Sequence, residues 1–556
     1  MSNVRRVYLY LVSLITLGIF AAGVRALLYL LFDIAVNGSP SAGSPEFLQQ
    51  QLSLGIAMLV IGGPLWFFFW RSAQRHTGTN QTEIGSVIRK AILNLILVVT
   101  TIMSLLAAKD FLNWLISGVP LSQNPAASIS TLIVTIAILL YYCHISEKEG
   151  HPSSGAMTLR RWYIYIVSGW GLVWLTVGTV QFIDACSLLL PVWGQVMVTG
   201  KFWIDPVQNN VAWLVLGGLY WYLHWFRFSA NDVRSTLRQV YIYLLATIAS
   251  SIAGLVALVL GLYRIFVWAF GTIPNAGDGY FQFLGWVIPT IIVSAFVWIY
   301  HRIVAQEESA GLPNRLLSAR RLYIYIMSFI GLGAVISGLI PLLGIFLDVL
   351  SQSISPPLAI QPDWWQRQLA LCLSLLIVAV PLWWYYWNRI ILLAEASGLI
   401  EWRARLRRIY LYLVIGAAII GLAAALVNII YQLLNGILSG NLGINVLRST
   451  RWSIQSLITA APVLAFHWHI ARSEQKLGAE AIAEQKLVSV LAESESSIII
   501  SNLEDRLGYK VRFLQNSGIE TIKSSFSEDE ITALVNKIES SSTKNVMLLL
   551  RDGEII

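Results

Sequence analysis

Charged residues are scarce in this 556-residue chain, because only 12% are Asp, Glu, Lys or Arg, against about 25% in an average soluble domain. Hydrophobic residues make up 56% of the chain, and the mean hydropathy is +0.66. No water-soluble packing hides this much apolar surface. The composition therefore excludes a soluble enzyme, a disordered chain and a small disulfide-rich scaffold.

Cysteine is also rare, and the three thiols, Cys143, Cys186 and Cys372, lie inside or at the edge of apolar segments. Without a CxxC motif they build no disulfide framework, and we interpret them as packing residues. P-loop, GxGxxG, HExxH, GxSxG and Cys/His metal motifs are absent from the sequence as well. The paired carboxylates Glu307-Glu308 are interpreted as solvated charge in a loop. We predict no catalytic residue, no metal and no cofactor.

Long apolar segments dominate the sequence instead. A membrane-spanning helix needs about 20 mostly apolar residues, and twelve segments meet or approach this length. The sequence thus predicts an all-α polytopic membrane protein with about twelve transmembrane helices. The segments are 7–32, 52–70, 91–108, 128–144, 162–184, 211–227, 240–263, 281–300, 322–347, 369–388, 409–434 and 453–470.

The net charge of +8 is spread in short basic groups between the apolar segments, which is unlike a nucleic-acid-binding patch. Near the span ends, 23 Lys and Arg lie on one side and 6 on the other. Because basic residues favour the cytoplasmic side, both termini are predicted to be cytoplasmic in the cell (plasma) membrane. The run after Arg5 and Arg6 is too long for a signal peptide, and we interpret it as the first helix of the mature protein.

A short motif, a basic pair followed by Tyr-x-Tyr, recurs along the chain; we call it the opener. It begins at Arg5, Arg160 and Arg320, at spacings of 155 and 160 residues. Weaker openers begin at Arg238 and Arg407, and Arg89-Lys90 is a decayed one. The pattern predicts three tandem four-helix units, each built from two related hairpins. Their boundaries are 1–155, 156–315 and 316–473, and three like units suggest a pseudo-threefold assembly.

In these openers the chain resembles an uncharacterised prokaryotic family of four-helix membrane domains, whose members begin with a basic pair and Tyr-x-Tyr. The resemblance covers Arg5 to about His469 as three copies. It implies a multi-pass helical fold and no particular activity, because the family is a domain of unknown function. The decayed opener at Arg89 lacks both tyrosines, so a site that needed them would be lost from the first unit.

The openers place an arginine and a tyrosine on one helix face, at the depth where both residue types favour the interface. One interpretation is a repeated site for anionic lipid headgroups. The other, which interface preferences favour, is simple anchoring. The candidate residues are Arg5, Arg6, Tyr8, Tyr10, Arg160, Arg161, Tyr163, Tyr165, Arg320, Arg321, Tyr323 and Tyr325.

Histidines recur near the cytoplasmic ends of the even-numbered helices, and paired histidines can bind haem axially. The candidates are His144, His224, His301 and His467. When the ends of the even-numbered helices are aligned, Trp70 and Trp387 fall at the position of His224. Because tryptophan binds no haem iron, the favoured interpretation is an amphipathic ring at the membrane interface. A haem-binding redox protein remains the third functional alternative.

Gly or Pro interrupts the second helix of each unit at matching places, Pro64, Gly217 and Pro381. Such interruptions mark the binding sites of many transporters, but they also serve close helix crossings. No charged residue lies clearly at the bilayer midplane, which weighs against an ion-coupled transporter. A small-molecule transporter or channel is therefore the second alternative.

The composition changes after about Arg472. An amphipathic helix is predicted over Glu474–Glu495, followed by strands at Tyr509–Leu514, Ile519–Ile522 and Asn545–Leu550. A helix is predicted from Ser527 to about Glu539, and a turn at Asp552-Gly553. Residues 474–556 thus form a cytoplasmic helix and a small α+β module. This module is expected to dock on the membrane domain, dimerise or contact a cytosolic protein.

Together these features predict a non-enzymatic membrane component with an assembly, lipid-interacting or sensing role. Its expected partners are the bilayer, including anionic lipids, and a cytosolic protein that contacts the C-terminal module. No nucleic-acid partner is expected.

Overall fold

The computed structural model describes most of the chain. The residues outside the described part are 1–2, 38–44, 80, 118–123, 152, 189–203, 233–234, 273–277, 310–317, 355–363, 398–404, 441, 485–486, 493–502, 505, 508–510, 516–527, 542–544, 552–553 and 556. The predicted strand Ile519–Ile522 and the predicted turn Asp552-Gly553 lie there, as does the whole of the Glu493–Glu495 end of the predicted amphipathic helix.

Helices dominate the described residues. In the first half they are α1 Asn3–Asn37, α2 Pro45–Thr79, the short α3 Gln81–Ile84, α4 Val87–Ile116, α5 Ala126–Glu149, α6 Ser154–Ser187, α7 Ile204–Tyr222, α8 Thr236–Val240 and α9 Ile248–Ala269. In the second half they are α10 Leu284–Ser309, α11 Ser318–Ile354, α12 Trp364–Ser397, α13 Arg405–Leu438 and α14 Ile444–Glu484. A π-helical turn, Leu223–Phe228, extends α7, and another, Tyr241–Thr247, joins α8 to α9.

Ten helices among the described residues are long and apolar enough to cross a membrane. This confirms a multi-pass α-helical membrane protein. They correspond to ten of the twelve predicted spans. At the positions of the sixth and twelfth, the chain forms α7 with its π-helical extension and α14, which are long helices but not among the ten.

Polar residues within the spans bond to their own helix, as a lipid environment requires. The hydroxyl of Thr100 donates to the carbonyl of Ile96 at 2.7 Å, and that of Ser374 donates to the carbonyl of Ala370 at 2.6 Å. Side chains also cap helix starts, since the Ser153 hydroxyl accepts from the Ala156 amide at 3.1 Å. These bonds let Ser and Thr lie in apolar helices at little cost.

The described contacts divide the chain into two compact units. The first contains Met1–Tyr323 and Gln361–Val378, and the second contains Ile324–Ile360 and Ala379–Ile556. Within the first of these two compact units, which is larger than one four-helix repeat, the closest helix pairs are α1 with α2, α4 with α5, α6 with α7 and α9 with α10. Within the second compact unit, α13 packs on α14. Each such pair is a hairpin of helices consecutive in the chain.

Glycines lie at the closest crossings within these hairpins. A Cβ atom on Gly62 would lie 2.7 Å from the amide nitrogen of Phe20, and one on Gly171 would lie 2.7 Å from that of Trp221. Gly217 is in still tighter contact with Leu175. The absence of a side chain at these positions lets the two backbones approach each other, which is the usual packing device in lipid.

The C-terminal residues build a four-stranded sheet with strands β1 Leu487–Ala492, β2 Arg512–Gln515, β3 Asn545–Arg551 and β4 Glu554–Ile555, in the order β2-β1-β3-β4. β1 pairs in parallel with β2 and β3, whereas β3 and β4 are antiparallel. Helix α15, Glu528–Ser540, packs Ile531 and Ile538 onto this sheet.

The prediction of a helix over Glu474–Glu495 was wrong in its second half. The helix ends at Glu484, and Leu487–Ala492 forms the central strand. Val488 and Val490 are buried there, and Ser489 on the opposite face is buried too. A parallel strand covered on both faces lacks the simple alternation of a half-exposed strand, and its leucines and alanines also suit a helix.

Two glycines on one helix turn test the close-crossing interpretation. A Cβ atom on Gly331 would lie 2.9 Å from the Cα of Trp383, whereas one on Gly333 would meet nothing within 4 Å. We expect Gly331→Ala to lower the free energy of unfolding by about 1–3 kcal/mol, because the backbones must separate. The matched variant Gly333→Ala should be neutral or stabilising, because alanine is the better helix former. Thermal unfolding in detergent measures both, and equal effects would contradict the interpretation.

Candidate functional site

The second arginine of an opener pairs with an acidic residue that follows the second long helix of its unit. Arg6 Nε lies 2.8 Å from Glu83 Oε2, and Arg161 Nε lies 2.7 Å from Asp232 Oδ1. The hydroxyl of Tyr165 also donates to Asp232, at 2.7 Å. In the third unit, the stretch at the matching place, 398–404, lies outside the described residues.

A second set of ion pairs joins each of the weaker openers to the end of the next helix. Arg238 Nη2 lies 2.7 Å from Glu308 Oε1, and Arg407 Nε lies 2.9 Å from Glu474 Oε1. In the first unit, Arg89 and Lys90 both bind Glu149, with Arg89 Nε at 3.1 Å and Lys90 Nζ at 2.9 Å.

The three arginines of this second set are buried, as is Lys90. Their carboxylate partners are 9–12% exposed. We call these three pairs, Arg89–Glu149, Arg238–Glu308 and Arg407–Glu474, the hairpin-end pairs. They recur once in each predicted unit and join the start of one helix to its hairpin partner. The glutamate lies at or next to the helix end in α5 and α10, and ten residues before the end in α14.

Tyrosine and tryptophan side chains line the hairpin-end pairs. The Tyr10 hydroxyl accepts from Arg89 Nη1 at 3.0 Å, and Tyr165 and Tyr325 lie beside Arg238 and Arg407. The Arg238 guanidinium lies 4.3 Å from the Trp225 ring centroid, and that of Arg89 lies 5.4 Å from the Trp70 centroid. Cation–π contact therefore supplements the Arg89 and Arg238 pairs.

These contacts correct the alignment of Trp70 and Trp387 with His224. Trp225 lies against Tyr241 and His301, and Trp387 lies against Tyr410 and His467 in the same way. The equivalent residues are therefore Trp70, Trp225 and Trp387. The alignment with His224 was wrong by one residue. This aromatic stretch contains two tryptophans, Trp221 and Trp225, and only the contacts show which of them matches Trp70 and Trp387.

The histidines occupy different kinds of position. His301 and His467 are buried, each seven residues before the glutamate of its hairpin-end pair, and Tyr142 holds that place in the first unit. His224 is buried elsewhere, with Nε2 3.1 Å from the Tyr163 hydroxyl, and His144 is exposed.

Nδ1 of both His301 and His467 donates to a carbonyl of its own helix at 2.8 Å. Nε2 of each has no hydrogen-bond partner among the described residues. No group of three or more metal-binding side chains occurs in the described part of the chain. Aromatic side chains surround the rings of His301 and His467, with Trp225 against His301 and Trp387 against His467. Haem binding by the histidines stays a prediction.

The tyrosines of the weaker openers bond to a serine of the preceding opener. The Ser168 hydroxyl donates to Tyr241 at 3.0 Å, and Ser328 and Tyr410 lie 3.1 Å apart. At the matching place in the first unit stands Ile92, so this bond cannot form there.

Glu307-Glu308 was predicted to be solvated charge in a loop, and this prediction was wrong for Glu308. Helix α10 continues through Glu308, whose carboxylate binds Arg238. The acidic partners lie 60, 70 and 67 residues from their arginines in the sequence. Their only sequence signal is the recurring spacing of seven residues from Tyr142, His301 and His467 to a glutamate.

The structure separates the twelve predicted headgroup residues into three groups by their exposure. The first arginine of each opener is exposed, as is Tyr8. The second arginine of each opener is half-buried, and Tyr163 is half-buried as well. Tyr10, Tyr165, Tyr323 and Tyr325 are buried.

A polar cavity of about 220 Å³ lies beside one of the exposed arginines. Its wall includes Arg160, Tyr163, Ser146, Glu147 and His151. Burial and the nearby positive charges of Arg160 and Lys90 lower the pKa of His151 to about 4. The imidazole is therefore neutral near pH 7, and its Nδ1 has no partner among the described residues.

An apolar cavity of about 310 Å³ lies between α1, α4 and α5. Its wall consists of aliphatic and small side chains apart from three threonines and Arg25. Neither this cavity nor the polar one is lined by Pro64, Gly217 or Pro381. The interruptions of the second helices accordingly lie away from both spaces.

Comparison with known protein families gives three tandem matches to one family model, a domain of unknown function (DUF5671), at residues 6–122, 184–295 and 321–446. These matches cover more than half of the chain. The chain belongs to this family. No curated protein and no solved structure matches it.

The DUF5671 matches confirm the predicted resemblance and its three copies. The first and third begin at Arg6 and Arg321, the second arginines of their openers, whereas the second begins at Asp184. All three DUF5671 matches end before Glu149, Glu308 or Glu474, so the acidic halves of the hairpin-end pairs lie outside the matched ranges.

Adjacent arginines on α13 test the contribution of a hairpin-end pair. Arg407 binds Glu474, whereas Arg408 is exposed. Arg407→Met should lower the free energy of unfolding by about 3–5 kcal/mol, because it leaves a buried carboxylate without its partner. Arg408→Met should change it by less than about 0.5 kcal/mol. The measurement is unfolding in mixed micelles, and similar losses in both variants would refute the assignment.

His151 predicts a pH dependence of stability. Its folded pKa of about 4 lies below the usual value of 6.5, so on acidification the unfolded chain takes up a proton first. Stability should fall as the pH drops from 6.5 to 4. His151→Asn should remove part of this fall in melting temperature, and a pH profile identical to that of the parent protein would contradict the assignment.

Proposed function

We propose that this chain is a twelve-span, non-enzymatic membrane module that binds anionic lipid headgroups on its basic side. By the basic side we mean the membrane face at which the openers lie. Counting α7 with its π-helical extension and α14 as spans gives twelve. With an even number of spans, each hairpin starts and finishes at the same membrane face. This agrees with the ion pairs, which join the openers to acidic residues in or after the partner helix.

The observation that carries the proposal is that the two arginines of an opener have different surroundings. Arg161 is held by Asp232, while its neighbour Arg160 is exposed and borders the polar cavity. A guanidinium at the membrane surface attracts anionic headgroups and binds phosphate with two parallel hydrogen bonds. The hydroxyl of Ser146 on the same wall suits a headgroup phosphate as well.

Arg320 occupies the position of Arg160 in the third unit and is also exposed. The buried tyrosines of the openers take a different role, because Tyr165 and Tyr325 hold the arginines of the hairpin-end pairs. The predicted headgroup site therefore narrows to the first arginine of each opener, while the buried residues anchor the helices.

The distribution of Lys and Arg supports a cytoplasmic basic side in the cell membrane, with both termini there. The C-terminal sheet then lies in the cytoplasm. A soluble module on that side is placed where a cytosolic protein can reach it. This placement supports a sensing or assembly role that couples lipid at the membrane to a soluble partner.

Lipid retention tests the proposal directly. Arg160→Gln with Arg320→Gln should reduce the anionic phospholipid that co-purifies with the protein by about fivefold, since a guanidinium that binds phosphate through paired hydrogen bonds is replaced by a neutral amide. The exposed Lys148 on the same side provides the control variant Lys148→Gln. Native mass spectrometry counts the bound lipids. Unchanged retention in the double variant, or an equal loss with Lys148→Gln, would refute the proposal.

A further inference from the structure

The apolar cavity between α1, α4 and α5 has a built wall. Its floor is formed by buried side chains, including Leu17, Ile96 and Val134. At its rim, Leu95, Val99 and Met103 are 44–50% exposed, and their spacing of four residues places them on one face of α4. In a bilayer this face meets lipid chains, so the cavity is reached from the hydrocarbon region.

The threonine hydroxyls of the wall are engaged by the protein itself. The hydroxyls of Thr100, Thr131 and Thr135 each donate to a carbonyl of their own helix at 2.7 Å. A cavity without free hydrogen-bonding groups does not hold water favourably. An empty cavity in turn forfeits the dispersion contacts of its lining atoms. The space therefore suits a hydrocarbon chain.

Arg25 stands at one end of the cavity. It lies 19 residues beyond Arg6 on α1, which is about 28 Å along the helix and close to the thickness of the hydrocarbon core. Its guanidinium is exposed and donates through Nε to Thr131 at 2.8 Å. No carboxylate of the described residues pairs with it. A cation thus lies at the membrane interface opposite the basic side, next to an apolar space.

The second unit lacks both the small residues and the arginine of this cavity, and the third unit lacks the arginine. Counting by the opener spacing, Gly18, Ala22 and Arg25 correspond to Val173, Val177 and Val180 in the second unit. In the third unit they correspond to Gly333, Ser337 and Ile340. The combination of small residues with a terminal arginine is therefore particular to the first unit, although the helices themselves are repeated.

We infer that this cavity binds one anionic phospholipid of the leaflet opposite the basic side, with an acyl chain between α1, α4 and α5 and its phosphate on Arg25. The positive charge of Arg25 favours an anionic headgroup, and the apolar wall of the cavity favours an acyl chain. This site is separate from the proposed headgroup contact at Arg160, which lies at the other membrane face, and it does not depend on that contact.

Binding of dioleoyl phosphatidylglycerol and dioleoyl phosphatidylcholine to the delipidated full-length protein, followed by native mass spectrometry, tests the inference. Gly18→Val with Ala22→Val copies the second unit, and a Cβ on Gly18 meets nothing within 4 Å. This filled variant should bind phosphatidylglycerol at least about tenfold more weakly at one site, with an undiminished melting temperature. Unchanged binding would show that no chain enters the cavity and would overturn the inference.

Arg25→Gln keeps the cavity and tests the headgroup contact independently. It should weaken phosphatidylglycerol binding by about fivefold and leave phosphatidylcholine binding unchanged. Arg264 is an exposed arginine that stacks on Tyr280 and Phe283 away from both cavities, so Arg264→Gln is the matched control. Equal losses in the two variants would overturn the assignment of the phosphate to Arg25.

Soluble glycerol phosphate separates recognition of the whole lipid from recognition of a free phosphate. It should not displace bound phosphatidylglycerol even in excess, and displacement would overturn the inference. Variants at Arg160 and Arg320, measured in the same assay, report on the basic side only. A loss confined to them would count against the cavity site, while a loss confined to the cavity variants would count against the headgroup proposal.

Discussion

The buried ion pair at the end of each hairpin is the interaction on which the rest of the membrane domain depends. In lipid, helices gain little from hydrophobic association, so hydrogen bonds and close packing decide which helices stay together. An arginine and a glutamate that are largely shielded from solvent attract each other more strongly than an exposed pair does. Each is costly to bury alone, so the pair fixes which hairpin ends meet.

This constraint explains how one motif serves two purposes. Within an opener, the arginine that faces the protein is committed to an acidic partner, and the tyrosine four residues further on lies beside the arginine of the next opener along the chain. The other arginine of the opener remains at the surface. One arginine of the opener thus stabilises the fold, and its neighbour can contact lipid. Because the structural role needs only the second arginine, the motif can recur in copies that bind no lipid.

Much of the fold could be predicted from composition and repetition, because twenty-residue apolar runs and a recurring basic pair are strong local signals. The acidic partners could not, since Glu149, Glu308 and Glu474 resemble ordinary solvated glutamates at helix ends. The central strand Leu487–Ala492 was also missed, because burial on both faces removes the alternation that marks a strand. The apolar cavity required coordinates, as it arises from Gly18 and Ala22 facing two other helices.

A double-mutant cycle on Arg238 and Glu308 tests the central claim most directly. The free energies of unfolding of the parent protein, Arg238→Met, Glu308→Leu and the double variant give the coupling energy of the pair. The account predicts that each single variant is strongly destabilised and that the second substitution recovers more than about 1 kcal/mol of the loss. Single losses that simply add, with a coupling below about 0.5 kcal/mol, would contradict it.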